Sequence, residues 1–146
     1  MGWLQDWKKN KRQHVAVYHD FRDYANTAGA CWACGRSAAF RDKPAEYGAK
    51  WIIQRAHITS KPRLEDRRVV NLLCPLCHAI YDDGGDDRIT LSNMLYLKAL
   101  FDPDFFEMEI LQNCSIRILP PAKDLNASFI AEYQKRCGLT RHPIFA

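Results

Sequence analysis

The sequence predicts a mixed α+β fold, and three observations carry that prediction. Two Cys-x-x-Cys pairs, Cys31/Cys34 and Cys74/Cys77, are separated by one long loop. Two short runs rich in β-branched and aromatic residues lie between the pairs. On either side, apolar residues recur at three- and four-residue spacing, the signature of helices with one buried face.

The cysteines come first because they constrain everything around them. Each Cys-x-x-Cys offers two soft ligands from one tight turn, and two such pairs have the spacing of a tetrahedral structural zinc site. The alternatives are two disulfides or four buried thiols. The N-terminus lacks the charged-then-apolar layout of a signal peptide. No run approaches the roughly 18 apolar residues of a membrane span. The expectation is a cytoplasmic, reduced chain, which favours thiolate–zinc over disulfides. At 146 residues and 47% hydrophobic, the chain suffices for one domain with a real core, stapled by the metal. Within the single domain 1–146, an N-terminal helical part spans 1–27, a zinc core 28–90 and a C-terminal helical extension 91–146. Cys114 and Cys137 stand alone and read as small packing residues.

The elements follow in order. Val15, Tyr18, Phe21, Tyr24 and Ala25 predict an amphipathic helix over about residues 12–26, ended by Ala28-Gly29. The basic run before it, Lys8 to Arg12, is either a solvated helix face or a phosphate-gripping arm. Cys31-Trp32-Ala33-Cys34-Gly35 reads as a zinc knuckle, with Gly35 supplying the tight backbone geometry. Residues 36–49 read as a loop, Lys50 to Ile58 as a strand, Thr59 to Arg68 as a charged loop and Val69 to Leu73 as a second strand. A helix from Pro75 through His78 to Tyr81 is broken by Asp82 to Asp87, which lacks the terminal glutamate of a calcium loop. Thr90 caps a helix through Phe101 carrying Leu91, Met94, Leu95 and Lys98. Asp102-Pro103 opens another, with Phe105, Phe106, Ile110 and Leu111. Ser115 to Leu119 is a third expected strand, closed by Pro120-Pro121. A last helix over Asp124 to Cys137 ends at Gly138.

Charge is divided unevenly. Residues 1–70 hold 14 Lys/Arg and 7 Asp/Glu, a net of +7, whereas residues 71–146 hold 7 and 10, a net of −3. A basic front half suits a polyanion, and Arg55, Lys61, Arg63, Arg67 and Arg68 are the candidate phosphate contacts. Trp32 and Trp51 either pack on the zinc turn or stack on bases. His78 and Asp82, four apart on one helix face, are placed to share a divalent cation.

Residues 28–90 resemble the HNH family of nucleases, in particular its four-cysteine members. The resemblance rests on Cys31-x-x-Cys34, Ala56-His57-Ile58, Asn71-Leu72-Leu73, Cys74-x-x-Cys77-His78 and the helix His78-Ala79-Ile80-Tyr81-Asp82. It implies a treble-clef-like ββα-metal core and hydrolysis of DNA phosphodiester bonds. It also implies His57 as general base, His78 as ligand of Mg²⁺ or a similar catalytic ion, and Asn71 as a residue that orients the base or touches the metal. Such hydrolysis needs a water deprotonated near neutral pH and a cation to take up developing charge. The chain departs from the family at two positions. Ala56 stands where the family puts a ligating Asp or His, and Val69 fills the usual asparagine slot, with Asn71 two residues on. The expectation is a metal-dependent HNH-type endonuclease. The alternative is a catalytically degenerate HNH-derived zinc module that binds nucleic acid or a protein. A homodimer would let one site per chain cut both strands, though no sequence signal marks an interface.

Overall fold

The computed structural model describes residues 2–28, 30–35, 53–82 and 89–120. Outside them lie the expected loop 36–49, the start of the first strand at 50–52 with Trp51, the acidic turn at 83–87, and the final helix with Cys137. Among the described residues the chain forms five α-helices and one two-stranded antiparallel hairpin, a mixed α+β architecture around a buried four-cysteine cluster. None of these helices is long and apolar enough to cross a membrane.

Two helices replace the single one expected at the N-terminus: α1 (Trp3–Lys9) and α2 (Lys11–Ala28). The basic run therefore straddles a helical elbow at Asn10, whose side chain donates to the Asp6 carbonyl. Trp7 explains why α1 forms. Its ring is buried and its Nε1–H donates to Asp66 at 2.7 Å, which ties α1 to the loop between the strands. Helix α2 buries Tyr18 and Phe21 at the three-residue spacing read from sequence.

The hairpin pairs β1 (Gln54–His57) with β2 (Val70–Leu73), with Ala56 opposite Asn71 and His57 opposite Val70. Pairing continues one step further, since Ile58 N–H donates to the Val69 carbonyl at 2.8 Å. β2 is buried on both faces, so apolar residues point both ways and Asn71 is its one polar member. A 3₁₀ turn (Arg67–Val69) leads into it, capped by the Asp66 carboxylate on Arg68 N–H. Helix α3 (Pro75–Asp82) starts with proline in its first turn, where a missing N–H costs nothing.

Thr90 caps α4 (Leu91–Phe101) in a reciprocal box with Asn93. Two expectations beyond it are corrected. Asp102-Pro103 opens only a 3₁₀ turn (Pro103–Phe105), and α5 (Met108–Asn113) begins later. Asp102 cannot cap because its carboxylate is taken by Arg67 and Lys98. Ser115 to Leu119 is not a strand. The Gln112 side chain, not a neighbouring strand, meets its backbone at Arg117 and Leu119.

Candidate functional site

Two turns built alike bring the four cysteines together. In each, the amide of the second cysteine approaches the first sulfur at 3.5 Å, Cys34 to Cys31 and Cys77 to Cys74. In each, the next residue closes the turn on the first cysteine's carbonyl at 2.9 Å, from Gly35 and from His78. Gly35 does so at a φ of 83°, a conformation that glycine adopts without steric cost. Trp32 N–H donates to the Leu72 carbonyl, which hangs the first turn on β2.

The four buried sulfurs lie within 4.8 Å of one another, and Cys34 and Cys74 approach to 3.8 Å across the pairs. A tetrahedral ion with bonds of about 2.3 Å to sulfur sets its ligands about 3.8 Å apart, so the site fits zinc. All described cysteines are free thiols. Burial pushes the Cys31 thiol well up, and contacts with Cys31, Cys34 and Cys74 push Cys77 up, while its bond with Cys31 leads Cys74 downward. Four thiolates this close repel one another, and a dication is what allows them to coexist.

His57 ends β1 beside a cavity of about 500 Å³. Its Nε2–H donates to the Leu64 carbonyl at 2.7 Å, so the neutral ring carries its lone pair on Nδ1. Nδ1 is buried and has no partner. Burial lowers the pKa of His57 from its ordinary value; the Leu64 bond opposes this and the charge of Arg63 adds to it. Thr59 lines the same cavity, with its hydroxyl also buried and unpartnered.

His78 and Asp82 sit on one face of α3, with Nε2 and Oδ2 3.0 Å apart, and His78 Nδ1 lies 2.8 Å from Gln54 Oε1. Asp82 lines the His57 cavity. Among the described residues, the four cysteines are the one group of three or more His, Cys, Asp or Glu side chains close enough to share an ion. His78 and Asp82 are thus a two-residue pair.

Asn71 lies elsewhere. It faces the same way as Ala56, opposite to His57 along the hairpin, and its Nδ2 donates to the Met94 carbonyl in α4 at 2.8 Å. Its Oδ1 is buried without a partner. The structure therefore brings His57 and Asp82 to one cavity, with His78 beside Asp82, and turns Asn71 into the core.

The five candidate cations divide as well. Arg55 donates to the Tyr18 carbonyl and lies 3.8 Å over its ring. Arg67 forks onto Asp102 between the rings of Phe21 and Phe105. Arg68 binds Asp66 and Glu107. Lys61 and Arg63 are exposed, and Lys61 lines the cavity with His57.

Sequence reasoning missed Arg117, Tyr81 and Thr59, which share that cavity. Tyr81 follows His78 by three residues and so lies on a neighbouring helix face, and its hydroxyl donates to the Ile58 carbonyl at 2.6 Å. Burial pushes its pKa up to about 12. Thr59 lies two residues past His57, just beyond the bend at Ile58 that ends β1. Arg117 arrives by tertiary packing and has no local signal. Comparison with protein-family models, curated proteins and solved structures finds no match.

Proposed function

We propose that the chain is a metal-dependent endonuclease of the HNH type that hydrolyses DNA phosphodiester bonds, with β1, β2 and α3 as its treble-clef-like ββα-metal core. One observation carries the reading. His57 is a neutral histidine fixed by a carbonyl on one nitrogen, with a buried, unpaired acceptor on the other, and it borders a cavity also lined by Asp82, Lys61 and Arg117. A depressed pKa keeps it a base at neutral pH. As water attacks phosphorus, His57 Nδ1 takes the water's proton, one P–O bond forms and the ester P–O bond breaks, and the leaving oxygen is protonated from solvent. Nδ1 is covered, so the reading requires a rearrangement that exposes it to water.

The α3 pair suits a hard divalent cation. With a cation bound, a hydrogen bond from His78 Nδ1–H to Gln54 would leave the Nε2 lone pair for the ion shared with Asp82; without the ion, the 3.0 Å contact is a hydrogen bond from Nε2–H to Asp82. The 3.0 Å between Nε2 and Oδ2 equals the edge of an octahedron with bonds of about 2.1 Å, as it equals a hydrogen bond. Mg²⁺ bound there would supply positive charge to the phosphoryl oxygens. Lys61 and Arg117 hold phosphate at the rim.

The test is plasmid nicking with Mg²⁺ and Mn²⁺ titrated. His57→Ala should lose about 10²- to 10⁴-fold in rate while keeping zinc content and DNA affinity. A wild type that nicks with neither metal ends the proposal. The second reading, a degenerate zinc module that binds DNA without cutting it, is favoured by Ala56. That residue is fully buried on the face turned from His57, so the family's third ligand position points into the core here. Ala56→Asp is then expected to bury a carboxylate and destabilise the fold rather than raise cleavage.

A further inference from the structure

Beside the His57 cavity, Ile116 and Ile118 stand 81% and 94% exposed, with exposed Arg117 between them. Single surface hydrophobics are ordinary, but these are held in place. Gln112 braces the backbone from both sides, its Nε2 donating to the Arg117 carbonyl at 2.8 Å and its Oε1 accepting from Leu119 N–H at 2.9 Å. Ser115 Oγ accepts from Arg117 N–H at 3.1 Å. Buried Cys114 and Leu119 anchor the two ends, and the Cys114 carbonyl accepts from Lys61 N–H at 2.9 Å. The tip is thus staked, braced and apolar, and joined to the cavity rim that carries Lys61.

The chemistry of the tip selects its partner. Arg117 divides the two isoleucines and Lys61 stands on the adjoining rim, so the tip offers apolar contact flanked by positive charge, which suits a polyanion. Ile116, Arg117 and Lys61 line the cavity with His57, and Asp82 is the one carboxylate residue among the described residues that does so. Apolar side chains that enter the minor groove part base steps and kink the duplex, and arginine is drawn to the negative potential of that groove. We infer that Ile116-Arg117-Ile118 is a wedge that enters the minor groove of a bound DNA duplex and unstacks a base step next to the scissile phosphate. Arg117 supplies attraction, the isoleucines supply the deformation, and the bend presents the backbone to His57. The inference rests on the endonuclease reading and adds how that site would engage its substrate.

The experiment uses the full chain, with EDTA-free buffer and Ca²⁺ in place of the catalytic ion, on a duplex carrying 2-aminopurine at successive steps. Wild type should raise the fluorescence of one step on binding. Ile116→Ser/Ile118→Ser should bind about tenfold or more weakly, with an unchanged salt slope and no fluorescence rise, because apolar contact rather than charge is lost. Arg117→Gln should lower the slope of log affinity against log salt by about one. All three side chains are exposed, so the variants should keep wild-type zinc content and melting. A serine variant with wild-type affinity and fluorescence overturns the wedge. So does one whose sole change is lost self-association in sedimentation, which would mark a contact between copies. In the Mg²⁺ nicking assay, an Ile116→Ser/Ile118→Ser protein that cuts duplex as fast as wild type removes the wedge alone. Wild type that neither binds nor nicks duplex removes the endonuclease reading with it.

Discussion

Replacing Lys98 by Met should change how stability depends on pH, by an amount set by the lysine's surroundings. Lys98 is wholly buried in α4, its ammonium donating to Asp102 at 2.7 Å and to the Arg67 carbonyl at 2.6 Å. Burial lowers its pKa from 10.5 to about 8, against the pull of Asp102. Below pH 8 both folded and unfolded chains hold the proton, and the folded state bears the full cost of the buried charge. Above pH 8 the folded state sheds the proton while the unfolded chain keeps it to about 10.5. The unfolded state then binds more protons, so stability rises with pH. Between pH 7 and pH 9 the gain is about 1.3 kcal/mol, since each pH unit past the folded pKa contributes about 1.4 kcal/mol per proton. Cys114 and Tyr81 work the other way, because burial pushes them up to about 11 and about 12. Met fills similar space and does not titrate, so subtracting the variant removes those contributions. The assay is urea unfolding of zinc-loaded wild type and Lys98→Met at pH 7 and pH 9. The stability difference should shift toward wild type by about 1.3 kcal/mol across that range. An identical difference at both pH values would refute the reasoning.

Elemental analysis should find about one zinc per chain, and a strong chelator or Cys74→Ser should unfold the protein. Zinc binding of about 10–16 kcal/mol matches or exceeds the whole stability of a typical domain. A folded, metal-stripped chain would contradict this. Asp66→Ala should cost about 3 kcal/mol in urea unfolding, because it strands buried Trp7 Nε1–H and one side of Arg68. Burial pushes the Asp66 carboxyl up, yet bonds from Arg68 leave it below its ordinary 3.8, so the wild-type advantage should fade as pH falls below that value. Removing Lys61 and Arg63 together should lower the salt slope of DNA binding by about two, with melting unchanged. Arg67→Gln should lower melting instead, since its fork on Asp102 is lost. A wild-type slope in the Lys61/Arg63 variant would move the DNA surface elsewhere.

The parts of the fold governed by local chemistry were legible in the sequence. The cysteine turns, Gly35, the Thr90 cap and the start of α3 at Pro75 each follow from a few adjacent residues. What was hidden depends on distant partners. Trp7 marks a helix because Asp66 receives its indole, and Asp102 fails as a cap because Arg67 and Lys98 claim it. Lys98 did fall on the apolar stripe of α4, so its burial had a signal that its charge obscured. In the candidate site, the i,i+4 spacing correctly joined His78 to Asp82. Spacing could not say that Asn71 faces Met94, because that depends on which side of the hairpin α4 covers. Nor could it separate the engaged arginines at 55, 67 and 68 from the exposed Lys61 and Arg63.

The stretch between the strands divides into two sets of positions. Leu64, Asp66, Arg67 and Arg68 are owed to the interior: one is buried apolar, and three form the ion pairs and the Trp7 hydrogen bond that tie this loop to α1 and to the residues at the ends of α4 and α5. Ser60, Lys61, Arg63 and Glu65 face solvent. A combinatorial library confined to those four exposed positions would vary the surface next to His57 while leaving the scaffold alone. One that also randomised Asp66 to Arg68 would spend most of its members on unfolded chains. If the endonuclease reading holds, the loop is accordingly a place where preference for nucleic-acid sequence or shape can drift quickly, on a framework that cannot.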